Sequence, residues 1–519
     1  MTTVSVPNVG LTGPDSDLFA KLYTTWAQKR RRNMLRTVYY EGKNALKDFG
    51  IAVPPQMQRA FTPLQWIAKG IHALTDRSQF EGFVSGTGAD DPFGLSAILD
   101  QNDFETEFPL AVTSSAIHAC SFLTVSEGDV QSGEPDVLML ARAADASAAV
   151  WDRRRRSLAG FLSIIEVDEF GAIEMVMYTP EFVYSMSKSS SRWTVSGIPN
   201  RLGEVSVSRL VYKPELNRPF GHSRITRTGM GLTDAAVRTV LRSEVSAEFY
   251  AADKYWLFGA DVTKFVGDDK WSAVMGRMNA IDQEPGDEIK VERFSGSSPQ
   301  PHIDQLRMLT SLFADDQSLD VKWADASNPS SADAIYAAKE ELIMDTRNSN
   351  RVWGRGGVKA VQLAVRLRDG LDSVPDELRS LQARFTDPAI VSPSARSNAF
   401  TQLASAIPGF GESEVGMEYA GLSREQIITF QSEMRRSGAS TRIQQLVDAT
   451  KAARPGVDGE ASQSQDDLNT ANVLKAKADA LGILRRAGVD GASAAEIVGL
   501  QGVKFIPGQP ITIKVSGEE

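Results

Sequence analysis

Four histidines (His72, His118, His222 and His302), a single cysteine and scattered acidic pairs are the residues that could do acid–base, nucleophilic or metal chemistry in this sequence. The histidines stand far apart. None has the H-x-x-x-H spacing that sets two imidazoles on one helix face, so surface or core histidines are the simpler reading. Cys120 sits among Ala119, Phe122 and Leu123, and apolar surroundings raise a thiol's pKa and make it a buried, inert side chain rather than a nucleophile. Asp268-Asp269 and Asp315-Asp316 could hold a divalent cation in principle, but nothing else in those segments converges on them, which favours a solvated charged face. Neither a G-x-x-x-x-G-K-[ST] phosphate loop nor a G-x-S-x-G nucleophile elbow is present. The segment Gly354-Arg355-Gly356-Gly357-Val358-Lys359 is glycine-rich and basic, yet lacks the hydroxyl that would reach magnesium. Its expected role is to kink or break a helix at Gly354, Gly356 and Gly357. The basic runs 29–32 and 153–156 could touch phosphates. Four residues is short for that, and a surface or interface role is expected. The pattern implies no cofactor, no resident metal and no enzyme.

The elements that must position these residues can be read from periodicity. Residues 1–16 read as a Gly/Pro/Ser/Thr arm, and Asp17 caps a helix to about Arg36 with Phe19, Leu22, Tyr23 and Trp26 on one face. Helices are expected at Leu64–Leu74 and Phe104–His118. From about Phe122 to Tyr212 the period becomes two. Strands are expected at Leu138–Ala141, Leu158–Val167, Ile173–Tyr178, Phe182–Met186, Trp193–Ser196 and Val205–Tyr212, with a hairpin turn at Asp168–Gly171. Thr233 is expected to cap a helix running to about Lys254, and Asp234 to complement its dipole. A small α/β insert at Tyr255–Ser298 holds a short helix at Asp269–Met278 and a strand at Glu288–Phe294. Helices follow at Gln300–Leu319, from Ala332 (capped by Ser330 with Asp333), and again from Val358 to Arg368. Beyond about Asp372 the chain reads as short helices, a flexible linker at Gly456–Gln465, an amphipathic helix at Asp466–Arg486 and a closing strand within Lys504–Val515.

Composition sets the bounds. The chain has 519 residues, 42% apolar and 24% charged, enough for roughly three to five folding units with real cores. One cysteine excludes an intrachain disulfide framework. With 56 Lys+Arg against 66 Asp+Glu the net charge is −10, which argues against a protein that coats DNA through a broad basic face. There is no basic-then-apolar leader and no run of ~18 apolar residues, so a soluble protein of a reducing cytosol is expected.

The order of segments resembles the portal proteins of tailed double-stranded DNA bacteriophages, particularly long-tailed phages of actinobacteria. The likeness rests on the opening helix leading to Tyr39-Tyr40-Glu41-Gly42 and on the β region ending in Pro219-Phe220-Gly221-His222-Ser223-Arg224-Ile225-Thr226-Arg227. It continues through helix, small insert and helix, then Ser327–Ala334 opening a long helix, and Ala478–Val515. The resemblance implies an α+β portal-type fold: a wing at 1–225, stem helices at 226–256 and 299–320, and a clip at 257–298. It further implies a tunnel loop at 321–331, a long kinked helix at 332–371 and a helical crown and tail at 372–519. DNA-facing candidates are then Lys322, Trp323, Asp325, Asn328 and Ser330. The implied partners are further copies of the chain in a dodecameric ring, double-stranded DNA in transit, the terminase large subunit, major capsid and scaffolding proteins, and a head–tail adaptor, with no membrane. The implied place is the portal vertex of the virion, after assembly in the host cytoplasm. Residues 301–345 carry nine acidic and three basic side chains, and an acidic wall would let DNA slide rather than grip it. Two other readings remain open at this point: a head-assembly or adaptor protein without a channel, and a carboxylate-metal nuclease.

Overall fold

The computed structural model describes residues 4–44, 64–86, 91–169, 171–190, 192–250, 254–258, 278–281, 290–294, 298–319, 332–389, 393–422 and 426–434. The chain divides into two compact units, 1–392 and 393–519. Helices and antiparallel strands are mixed in the first, in keeping with the α+β expectation.

Helix α1 (Gly13–Tyr40) begins four residues before the expected cap, because Pro14 is tolerated in a first turn whose N–H groups have no helical partner. Phe19, Leu22, Tyr23 and Trp26 are buried as their spacing requires. The N-terminal segment is no loose arm: Val9 is 4% exposed, and Val4, Val6 and Leu11 pack on the same core. Helices α2 (Trp66–Thr75), α3 (Leu95–Gln101) and α4 (Phe104–His118) follow, with strand β1 (Phe80–Val84) between the first two. Strands β2 (Cys120–Glu127), β3 (Val137–Ala143) and β9 (Val207–Val211) form one sheet in the order β3-β2-β9. Strands β4 (Ser147–Asp152), β5 (Ser157–Asp168), β6 (Gly171–Tyr178), β7 (Phe182–Ser189) and β8 (Arg192–Pro199) form a five-stranded antiparallel meander. The run 153–156 is the β4–β5 turn, where Asp152 Oδ1 accepts from the Arg154 and Arg155 amides. The turn at 168–171 forms as expected: Gly171 has φ +140° and donates its N–H to Asp168 Oδ1 at 2.7 Å.

Helix α5 (Arg227–Tyr250) starts before Thr233, so the expected cap is corrected. Thr233 lies inside the helix, its hydroxyl donating back to Gly229 O at 2.8 Å, and Thr226 Oγ1 instead accepts the Gly229 amide at 2.8 Å. Asp234 meets Tyr39 and Asn44 rather than the helix end. A three-stranded sheet follows, β11-β10-β12, from β10 (Lys254–Phe258), β11 (Met278–Ile281) and β12 (Lys290–Phe294). Strand β10 is parallel to β11 and antiparallel to β12. Most of the expected helix Asp269–Met278 lies outside the described residues. Helix α6 (Gln300–Asp316) packs along α5.

Helix α7 (Ala332–Asp369) is 38 residues long and unbroken. Its Trp353, Ala360, Val361, Ala364 and Val365 are wholly buried against β2, β9 and the phenylalanines of β1 and α4. A short helix α8 (Asp376–Arg379) leads to strand β13 (Gln382–Phe385), which pairs antiparallel with β1 from three hundred residues away: Phe80 opposes Phe385. Phe80, Phe83, Phe104, Phe108 and Phe385 interlock there, Phe80 to Phe108 at 4.7 Å, each such pair adding ~0.5–1.5 kcal/mol beyond buried area. This pairing places 376–385 in the first unit, which extends to 392.

The second unit contains α9 (Pro393–Ala406) and α10 (Glu414–Ala420). Ser413 caps α10 by accepting the Gly416 amide, and Phe410 contacts both Phe400 and Tyr419. The linker, amphipathic helix and closing strand expected after Gly456 lie outside the described residues.

Candidate functional site

Lys322, Trp323, Asp325, Asn328 and Ser330 lie outside the described residues, as does the expected Ser330 cap. Gly354, Gly356 and Gly357 are inside α7, and the expected break there is corrected. All three are buried. A Cβ on Gly356 would stand 2.6 Å from Arg209 O of β9, one on Gly357 2.9 Å from the Phe108 ring, and one on Gly354 3.0 Å from Ala383 Cβ. Ser208 Oγ donates to Gly356 O at 2.6 Å. These glycines let a helix lie close on a sheet, and their neighbours keep the helix continuous.

His118 and His222 line one concavity, whereas His72 and His302 do not. Among the described residues no group of three or more His, Cys, Asp or Glu could hold a metal. Cys120 is a buried free thiol whose pKa burial pushes up to about 12. Asp316 is occupied structurally, accepting from Thr226 Oγ1 at 2.8 Å and Gln317 Nε2 at 2.6 Å. His118 is 6% exposed, 3.0 Å from Thr37 Oγ1 and 3.9 Å from Asp145. Burial lowers its pKa, and nearby Arg36 adds to this against the pull of Asp145. A histidine depressed in the fold stays neutral there while the unfolded chain protonates. Its contribution is therefore full above the ordinary value of 6.5 and is lost as pH falls through the folded pKa. Melting temperature should fall from pH 7.5 towards pH 5, and His118→Gln should flatten that slope; equal slopes in differential scanning calorimetry would count against it.

The densest buried polar constellation lies where the α5–α6 pair joins the body. Arg224 is 5% exposed. Its Nε donates to Gly70 O of α2 at 2.8 Å, and its Nη2 to Gln317 O, just past α6, at 2.6 Å. Its Nη1 donates to Tyr212 Oη at 3.0 Å and to Asp345 Oδ2 of α7 at 2.9 Å. Asp345 Oδ2 also accepts from Tyr212 Oη at 2.8 Å and pairs with Lys213 Nζ at 3.0 Å. Gln317 Nε2 reciprocates to Arg224 O at 3.3 Å. The residues just before α5 and just after α6 are thus tied to each other, to α2, to Tyr212 just past β9 and to α7 through one guanidinium. A buried charge is tolerated when paired and hydrogen-bonded, and here the guanidinium makes four hydrogen bonds, one of them to the carboxylate of Asp345. Burial foremost raises the Tyr212 pKa, so its hydroxyl stays a donor. Gly221, beside this junction, has φ +66°, and a Cβ there would lie 2.1 Å from Tyr212 O. Farther along α7, Glu204 pairs with Lys359 at 2.8 Å and with Arg366, whose Nη2 also donates to Leu202 O and Asp372 O.

The junction holds no nucleophile or general base aimed at open space; it is a mechanical coupling. Sequence reasoning quoted Arg224 within Pro219–Arg227 without seeing this role.

Comparison with known proteins places these features in context. A family model described as "Phage portal protein, SPP1 Gp6-like" matches residues 20–409. The portal protein of Mycobacterium phage D29 is 27% identical over 413 residues, spanning 77% of this chain and 84% of the relative. That of Mycobacterium phage L5 is 25% identical over 413 residues, spanning 77% and 83%. Among solved structures, a chain from the neck of a native GTA particle computed with C12 symmetry has a TM-score of 0.38 at 11% identity, covering 74% of this chain and 98% of that one.

Proposed function

Because this chain belongs to the SPP1 Gp6-like family of phage portal proteins, we propose that it forms a homo-oligomeric, twelvefold ring at one capsid vertex and conducts double-stranded DNA during packaging and ejection. Portal proteins are structural components of the virion rather than enzymes. In this reading the ring docks the terminase large subunit during filling, contacts major capsid and scaffolding proteins, and later carries the head–tail adaptor. Helices α5 and α6 are the stem, the β11-β10-β12 sheet the clip, and 321–331 the tunnel loop, with Lys322, Trp323, Asp325, Asn328 and Ser330 facing DNA. The helical crown and tail take up 372–519. No described helix is long and apolar enough to cross a membrane.

The observation that carries this reading is the excursion from Arg227 to Asp316: two packed helices flank a small sheet, and their roots are clamped together by Arg224 and Gln317. A stem rooted in this way can transmit force between a clip and a body without splaying. The net charge of −10 per chain, about −120 in twelve copies, suits a passage that DNA traverses rather than binds. Native mass measurement and electron-microscopy class averages of the purified chain should give a closed ring with an axial channel. A monomer that persists in all conditions overturns the ring. Density outside the axial opening in imaged particles would indicate an adaptor instead.

A further inference from the structure

Lys29, Arg32 and Arg36 recur at three- and four-residue spacing on one face of α1. With Arg218, His118 and His222 they line a concavity of about 530 Å³. Among the described residues no carboxylate lines it, and no residue of the chain's own β5–β6 hairpin enters it. Burial first, and adjacent Arg32 second, lower the Arg36 pKa to about 10. Like charges gathered in a concave wall favour an incoming anion. Asn33, also on the wall, is 3% exposed; its Nδ2 donates to Ala144 O at 2.8 Å, but among the described residues its Oδ1 has no hydrogen-bond partner. That oxygen needs a donor. A peptide segment brings N–H groups along with carboxylates, whereas a phosphodiester brings none, so the wall favours protein over nucleic acid.

The same chain presents the complementary shape. The last four residues of β5 are exposed. Glu166 stands directly opposite Glu174 of β6, both exposed, and like charges in that register destabilise a sheet. Glu169 is exposed at the turn, and Ile165 and Val167 are 40% and 45% exposed. A cyclic ring needs two different surfaces on each subunit, one for each neighbour.

We infer that the acidic, apolar-edged tip of the β5–β6 hairpin of one copy seats in the Lys29–Arg32–Arg36 pocket of the next copy. Glu166 and Glu174 meet the cations, and hairpin N–H groups reach Asn33 Oδ1. This rests on the ring reading and assigns it an interface.

The test uses the full chain. K29E/R32E and E166K/E169K each change exposed side chains, and circular dichroism verifies that both variants fold. In native mass spectrometry at low salt, each should lower the ring fraction at least tenfold relative to the parent. Mixing the two variants should restore rings in which they alternate, since each acidic hairpin then meets a basic pocket and each basic hairpin an acidic one, and combining all four changes in one chain should restore rings as well. Undiminished ring formation by either charge-reversed variant overturns the pocket contact while leaving the ring itself standing. So does failure of the combined chain to recover. A parent that is monomeric throughout overturns the ring and the contact together. Intact rings that lose DNA retention only with K29E/R32E would assign the pocket to phosphate and overturn the inference.

Discussion

Arg224→Met should loosen the root of the α5–α6 pair without unfolding the rest of the first unit. Methionine fills much of the arginine's volume but supplies none of its donors. Asp345, whose side chain is 9% exposed, would then keep Tyr212 and Lys213 but lose its buried cation. Gly70 O and Gln317 O would lose their donors as well. Removing one partner from a buried pair destabilises by about 3–5 kcal/mol, because a charge is stranded rather than because the pair itself was strongly favourable. In a chain of several units this is best read locally. Amide hydrogen exchange within Trp66–Thr75 and the last turn of Gln300–Asp316 should accelerate on the order of 10²–10³-fold, while the meander β4–β8 stays protected. Adding Asp345→Asn should recover part of the loss, since the stranded charge is gone. Uniform acceleration across the unit, or none at the α6 end, would refute a junction specific to this root. If the stem reading holds, the same variant should form rings whose stems are blurred in class averages.

Gly356→Ala should destabilise the protein even though alanine is the better helix former. Propensity favours the change by about 1 kcal/mol. Against it, the new Cβ would lie 2.6 Å from the Arg209 carbonyl oxygen, a backbone atom of β9 that cannot swing aside. Overpacking of this kind costs typically about 1–3 kcal/mol, so the clash outweighs the propensity gain. Gly231 of α5 is the control, because a Cβ there meets nothing within 4 Å. Gly231→Ala should raise the melting temperature slightly and Gly356→Ala should lower it. A rise for both would mean that the α7 glycines serve to bend the helix and not to bring it close to the sheet.

The two results bear on how much of this molecule was legible in its residues. Local periodicity located α4 at both ends and the strands β3 and β5–β9, because a half-buried strand or helix writes its own period into the sequence, but it missed β4 and the continuously buried β2. It placed the 168–171 turn, whose Asp and Gly are chemical requirements of the turn itself. It also read Cys120 as buried from its apolar neighbours. The reading of Gly354–Gly357 went astray because propensity speaks only of an isolated helix, whereas α7 is held by burial of Trp353 and its neighbours on β2 and β9. Thr233 was mistaken for a cap because the true start depended on Thr226 and on the junction just before it.

By itself, then, the sequence determined the α+β character, the order of body, helix, small insert, helix and long helix, and through that order the portal family. These are properties of local pattern and succession, which neighbouring residues specify among themselves. Only the tertiary structure decided that β13 closes onto β1 across three hundred residues, that Arg224 ties both roots of the helix pair to α2 and α7, and that three basic residues of α1 gather with a distant loop into one pocket. Each depends on residues far apart in the chain meeting in a buried or concave place. There, an arginine becomes a clamp or a site through the groups that surround it, and those groups leave no mark on its sequence neighbours.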